Sequence, residues 1–189
     1  MCIRDSYYTA DLPFPITHAP DIFTQFRKEV EKIVPVRPPL AVPETLTLIE
    51  DFDFGEAPSL KDFGFSDEDI DKSQRTLLAG GCEAGMERLK HYFWDTESIT
   101  NYKETRNGLI GLDYSSKFSP YLAHGCLSPK MIYQELARYE KRVKKNSSTY
   151  HLFFELLWRD FFRLMAKKHG NTIFQKLSLI HISEPTRPY

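Results

Sequence analysis

Apolar residues return along the second half of this chain at steps of three and four, the spacing of a helix that buries one face. In GCEAGMERLKHYFWD the pattern puts Ala84, Met86, Leu89, Tyr92 and Phe93 around one side. In PKMIYQELARYEKRVKK it puts Ile132, Leu136, Tyr139 and Val143 on a stripe, with Lys and Arg in the last turns, where the negative end of a helix favours them. NYKETRNG predicts a short helix closed by Gly108. After a polar break at Asn146–Thr149, YHLFFELLWRDFFRLMAKKHG is apolar over most of its circumference and stops at Gly170, which predicts a helix in the middle of a domain. Earlier, Ile22, Phe26, Val30 and Ile33 mark an amphipathic helix, approached through Pro13, Pro15 and Pro20. From Pro35 to Ser73 neither the strand nor the helix period is sustained. This reads as a long connection, and its phenylalanines predict that it drapes over a surface. The fold class expected is mainly α.

Composition alters this picture little: 41% hydrophobic, 27% charged and a net charge of −1 are those of a soluble globular protein. The aromatic content of 14% is high and lies mostly in the second half. No apolar run reaches the length of a membrane span, and no signal-peptide pattern opens the chain. The two ends are read differently. MCIRDS can be spelled ATG TGT ATA AGA GAC AG, and the reverse complement of that spelling encodes LSLIHI, residues 177–182. Reverse-complementary ends are expected of a translated sequencing adapter, so residues 1–6 and 177–189 are excluded from fold reasoning. Cys82 and Cys126 are then the remaining cysteines, without paired spacing, and a reducing cytoplasm is the expected location.

Candidate chemistry concentrates in DYSSKFSPYLAHGCLSPK, Asp113 to Lys130. Ser119-Pro120 and Ser128-Pro129 each read as an N-cap serine followed by proline at the first helical position. Helix N-termini offer unpaired N–H groups and partial positive charge, so anions settle there. With Ser115, Ser116, Lys117 and Ser119 supplying further donors, the stretch reads as a cradle for a phosphate or pyrophosphate. Two ordinary caps joined by a short turn would have the same spacing. In the long helix, Glu155, Trp158 and Arg159 share a face. Charges on a buried helix need partners. The face is therefore either a Glu–Arg pair among core aromatics or a polar strip lining a cavity, with Trp158 as a flat surface for a flavin or an extruded base. His124 and Cys126 have no accompanying ligand cluster, and no metal site is expected.

YKETRNGLIGLDYSSKFSPYLAHGCLSP, followed by ELLWRDFFR and KHGNTIF, resembles the photolyase/cryptochrome family, specifically the DASH-type cryptochromes. The resemblance runs from about Asp11 to Phe174. It implies that residues 7–34 end a Rossmann-like α/β N-terminal domain, that 35–73 form the interdomain connector, and that 74–176 begin an all-helical FAD-binding domain. By position it implies that Tyr102 contacts the FAD phosphates and that Ser115, Ser116, Lys117, Phe118 and Ser119 wrap the pyrophosphate. Arg159 would lie beside the flavin in a supporting role. Glu155 would hydrogen-bond, and Trp158 stack on, a flipped-out pyrimidine dimer. Tyr121, His124 and His151 depart from the usual Trp, Leu and Trp.

The activity so implied is that of a deoxyribodipyrimidine photolyase, in which reduced FAD absorbs blue light and lends an electron to open a cyclobutane pyrimidine dimer. Extrusion costs least from single strands, photolyases being among the enzymes for which base flipping is described. The expected partner is DNA containing pyrimidine dimers, single-stranded preferred, with no membrane and a monomeric intact protein. A net charge of −1 gives no bulk attraction to DNA, so any basic groove must be local, drawing on Lys130, Arg138 and Lys141. A folate antenna, methenyltetrahydrofolate, is a further cofactor compatible with the resemblance. The alternative class is a blue-light photoreceptor that signals through partners without repair. No catalytic residue is assigned within the chain, which alone is expected to be inactive.

Overall fold

The computed structural model describes residues 5–41, 43–45, 47, 53, 55–74 and 78–174. The expected foreign segments fall mostly outside these residues; Asp5 and Ser6 are described. Seven α-helices carry the described chain, and no strand occurs among the described residues. They are α1 (Phe23–Val30), α2 (Asp67–Gln74), α3 (Cys82–Lys90), α4 (Tyr102–Thr105), α5 (Ser119–His124), α6 (Pro129–Arg142) and α7 (Ser147–His169). α3 runs directly into a wider π-helical turn, His91–Asp95, which rotates Tyr92 and Phe93 fully into the interior.

α7 is the central post, and α1, α4 and α6 lie against it. Its two sides build two cores. Leu152 and Leu156 meet Leu89, Tyr92, Phe93, Tyr102, Phe118, Leu127, Ile132 and Tyr139. Leu157, Phe161, Leu164 and Met165 meet Tyr7, Ala19, Phe23, Phe26 and Val30. Each fully buried large side chain contributes about 1.5–3 kcal/mol, so both cores depend on the helix that joins them. Its C-terminal end is tied down by Lys168, which donates to Ala19 O at 2.7 Å and to Asp21 at 2.8 Å.

Several expectations are corrected in detail. The buried stripe of α1 is Phe23, Phe26, Val30 and then Val34, whereas Ile22 and Ile33 are 58% and 68% exposed. Both sets have helical spacing, and the one with two phenylalanines buries more apolar area. On α3 Gly85 is buried and Met86 is exposed; a Cβ at Gly85 would lie 3.1 Å from the Tyr121 ring and 3.2 Å from Leu127, so a larger residue there would have to push its neighbours aside. Val143 lies past the last turn of α6 and is exposed. The polar break at 146–149 is the start of α7: Asn146 accepts the N–H groups of Ser148 and Thr149, and the Thr149 hydroxyl accepts the N–H of Asn146, a reciprocal cap. In the connection, Phe63 and Phe65 are 68% and 51% exposed; Phe52 and Phe54 lie outside the described residues.

Asp160, 2% exposed, accepts the backbone N–H groups of Ser6 and Tyr7 at 2.9 and 3.1 Å. Both are main-chain donors. Among the described residues no helix is long and apolar enough to cross a membrane.

Candidate anion cradle and aromatic platform

The loop between α4 and α5 is built around one buried cation. Arg88, on the inner face of α3 and 7% exposed, donates to Asp113 Oδ1 at 2.7 Å and to the carbonyls of Leu112, Ser115 and Ser116 at 3.0, 3.1 and 3.0 Å. Asp113 also meets His91 Nε2 at 3.3 Å. Burial pushes the Asp113 carboxyl up, but the hydrogen bonds from Arg88 and His91 outweigh it and hold the group below its usual value.

The inward carbonyls fix the direction of the donors. In a trans peptide the N–H points opposite to the C=O before it. With the carbonyls of Ser115 and Ser116 turned to Arg88, the N–H groups of Ser116 and Lys117 face away from it. Lys117 then takes a left-handed backbone, φ 57°, and Phe118 a right-handed one. Such an alternation turns successive N–H groups into one concavity, a nest suited to an anion. The nest opens onto the first turn of α5, whose N–H groups have no partner within the helix.

Within this loop the expected roles divide. Ser115, Ser116 and Lys117 are half-buried and Ser119 is exposed. Phe118 is buried, its ring parallel to Phe93 with centroids 6.3 Å apart, so its side chain anchors the loop and only its backbone can serve an anion. Ser119 is the first residue of α5 and makes no side-chain cap, because Phe118 before it is already helical. The second Ser-Pro step behaves as expected: the Ser128 hydroxyl accepts the Met131 N–H at 3.1 Å. The Lys117 ammonium meets the hydroxyl of Tyr114 and lies over its ring.

Tyr102 joins the loop through a shared neighbour. Its ring stands edge-on to Tyr92, 6.5 Å between centroids, and Tyr92 in turn is edge-on to Phe118 at 5.8 Å. Burial, with the negative charge of Glu155 nearby, pushes the Tyr102 hydroxyl up to about 12. α4 is docked on α7 by Ser148, whose hydroxyl donates to Glu104 at 2.8 Å and accepts the Lys103 N–H at 3.1 Å. This docking brings Arg106 to Glu155 at 3.2 Å. His151, one turn before Glu155, also meets it at 3.2 Å. Burial and the Arg106 charge hold the His151 imidazole below its usual value, against the pull of Glu155.

The expected face of Glu155, Trp158 and Arg159 is therefore divided. Glu155 pairs with Arg106 across to α4 and with His151. Trp158 turns to α1 and stacks on Phe23, centroids 3.6 Å apart and planes 12° apart, with Phe162 stacked at 5.4 Å. The indole therefore packs into the resting fold. Arg159 is half-buried beside Asp160, and its charge draws that carboxyl down. Of the basic residues considered for DNA, Arg138 is engaged by Glu135 at 3.4 Å and lies over Trp94; Lys130 is half-buried and Lys141 exposed.

Three organising residues were not singled out in the sequence: Arg88, Asp113 and Arg106. For Arg88 a signal existed, a cation on the same face of the helix as Gly85, Leu89 and Tyr92, where a charge requires built acceptors.

Known proteins resemble this arrangement closely. Cryptochrome DASH of Xenopus laevis is 48% identical over 170 residues, 89% of this chain and 32% of that protein. Cryptochrome DASH of Synechocystis is 46% identical over 176 residues, 93% of this chain and 36% of its own length. The crystal structure of a Synechocystis sp. PCC6803 cryptochrome superposes with a TM-score of 0.82 at 45% identity, over 97% of this chain and 38% of that one. Over the span it covers, this chain belongs to the cryptochrome DASH family. No family model matches it. The chain spans about a third of the length of the curated cryptochromes DASH it matches, and its helices correspond to the helical domain of the solved cryptochrome.

Proposed function

We propose that this chain supplies the phosphate-binding half of a FAD site in a blue-light flavoprotein that repairs cyclobutane pyrimidine dimers, with single-stranded DNA as the preferred substrate. The observation that carries the reading is the Arg88-centred loop, whose carbonyls face inward and whose N–H groups therefore face outward beside a helix start. Ser115, Ser116 and Ser119, with the N–H groups of Lys117 and Phe118, would hold the pyrophosphate, and Tyr102 would flank it. When bound, FAD would supply the photochemical electron; the residues of this chain bind, orient and exclude water. Arg159, on the same helix as Glu155, is assigned a supporting place next to the flavin.

Glu155 and Trp158 are proposed as the lesion-facing pair, Glu155 accepting from a base edge and Trp158 stacking on the dimer. Phe23 and Phe162 both stack on the indole, so a bound dimer would take the place of one of them. That same stacking favours the second reading, a light receptor that signals without repair, in which Trp158 simply remains a packing residue.

A chimera separates the two. Residues 78–174 replace the matching segment of the Synechocystis cryptochrome DASH, and blue-light repair is measured on a thymine-dimer oligonucleotide, single- and double-stranded. Repair is expected, with single strands preferred. Trp158→Ala should weaken dimer binding by about 1–3 kcal/mol, the scale of base–aromatic stacking, with flavin content retained. A chimera that holds flavin but neither binds nor repairs the dimer would establish the signalling reading instead.

A further inference from the structure

We infer that Cys82 and Cys126 form a reversible disulfide that staples the start of α3 to the turn between α5 and α6. Both are free thiols in the structure. The geometry comes from the packing around them. Gly85 presents its Cα to that turn so closely that a Cβ there would lie 3.1 Å from the Tyr121 ring and 3.2 Å from Leu127. On the other side of Cys82, the Tyr121 hydroxyl donates to the Ala79 carbonyl at 2.8 Å. Residues 79 and 85, which flank Cys82, are thus pinned to residues 121 and 127, which flank Cys126. Cys82, Gly85 and Leu89 share one helix face by register, and Leu89 and Leu127 lie in one core cluster with Cys126 against it. The two thiols lie near enough for Cys126 to perturb the ionisation of Cys82.

A bond between them requires the two Cα atoms to stand about 4.4–6.8 Å apart, and the packing on both sides of each cysteine holds the two segments together. Cys82 is exposed and opens a helix; Cys126 follows Gly125, whose left-handed φ of 75° forms the turn. The oxidant is a low-molecular-weight disulfide such as oxidised glutathione. The Cys82 thiolate attacks one of its sulfurs, the S–S bond breaks, and one glutathione thiolate leaves. The Cys126 thiolate then attacks the Cys82 sulfur and releases the second glutathione. Two protons leave the cysteines, two electrons pass to glutathione, and the step reverses in excess reduced glutathione. The Cys126 thiol beside it, and some burial, raise the Cys82 thiol above its usual value, so exchange should accelerate as the solution becomes alkaline. The ring so closed contains Arg88 and all of the 115–119 loop, so oxidation confines the cradle. The inference stands on the packing around the two cysteines and does not rest on the flavin reading.

The test uses the full chain with Cys2→Ser, carried on a soluble, cysteine-free fusion partner, which leaves two of the three cysteines. It is equilibrated in mixtures of reduced and oxidised glutathione, trapped by alkylation and read by intact mass and peptide mapping, in buffer and in guanidinium chloride. The expected result is a linked 82–126 peptide whose effective concentration in buffer exceeds that in denaturant by about tenfold or more. Cys126→Ser should instead carry one glutathione at Cys82. Glutathione on both thiols without linkage, bridges only between molecules, or equal effective concentrations in buffer and denaturant would each overturn the inference.

Discussion

Replacing Arg88 by Ala removes the four bonds that hold the 112–116 segment in one step. Three go to the carbonyls of Leu112, Ser115 and Ser116 and one to Asp113. Bonds from a charged donor are worth about 1.5–3 kcal/mol each in mutational series, though not additively. The Asp113 side chain is 42% exposed, so water replaces much of that pair and its share is discounted to well under about 1 kcal/mol. The three carbonyls are held on half-buried backbone; at about 1 kcal/mol apiece they give a loss of about 3 kcal/mol, concentrated in the loop. With the chain carried on a soluble fusion partner, amide hydrogen exchange of peptides covering residues 109–122 reads this directly. A loss of about 3 kcal/mol in the local opening energy corresponds to about a hundredfold faster exchange. Arg88→Lys, a compact charge that cannot span the same acceptors, should fall between, near tenfold. If Arg88→Ala left exchange in these peptides within about threefold of the parent, the loop would be held by something else and the reasoning would fail.

Two other outcomes are expected of the chain itself. Burial pushes the Asp160 carboxyl up to about 6, from 3.8, against the N–H bonds of Tyr7 and Ser6 that draw it down. The folded chain then binds more protons at this site than the unfolded chain between those values, so this group makes the fold more stable as pH falls through that window and less so as pH rises; denaturant midpoints at pH 5 and 7 should show this slope reduced in Asp160→Asn, and equal slopes in both proteins would refute it. Expressed without a carrier, the chain is expected to be poorly soluble, to hold little FAD and to lack repair activity, since Phe162 and Phe174 leave aromatic surface open to solvent; purification as a soluble yellow monomer with a flavin absorption band would refute this.

The sequence carried helix existence better than helix detail. α6 and α7 were legible because a sustained helical period with caps has few alternative readings, down to the bonded Ser128 cap. The choice of stripe on α1 was not legible, since Ile22 and Ile33 have the same spacing as the residues that are buried. The cradle was visible as a cluster of hydroxyls, but its cause was not. Arg88 lies more than twenty residues upstream of the carbonyls it binds, and no local pattern encodes a long-range bond between a side chain and the backbone. The partner of Glu155 was missed for the same reason. Helical spacing offered Arg159, whereas tertiary docking of α4 delivered Arg106. Trp158 was read as a platform from its flat ring and its neighbours in sequence, and nothing local announces that Phe23 stacks upon it.

FAD retention by the Synechocystis chimera, with and without Ser115→Ala, Ser116→Ala and Ser119→Ala together, tests the central claim most directly. Each hydroxyl removed should cost about 0.5–1.5 kcal/mol, more where it meets a charged oxygen. The parent chimera should bind FAD and the triple variant should bind it about tenfold to two-thousandfold more weakly, with helical content unchanged. A triple variant that retains FAD as tightly as its parent would contradict the assignment of this loop to the pyrophosphate.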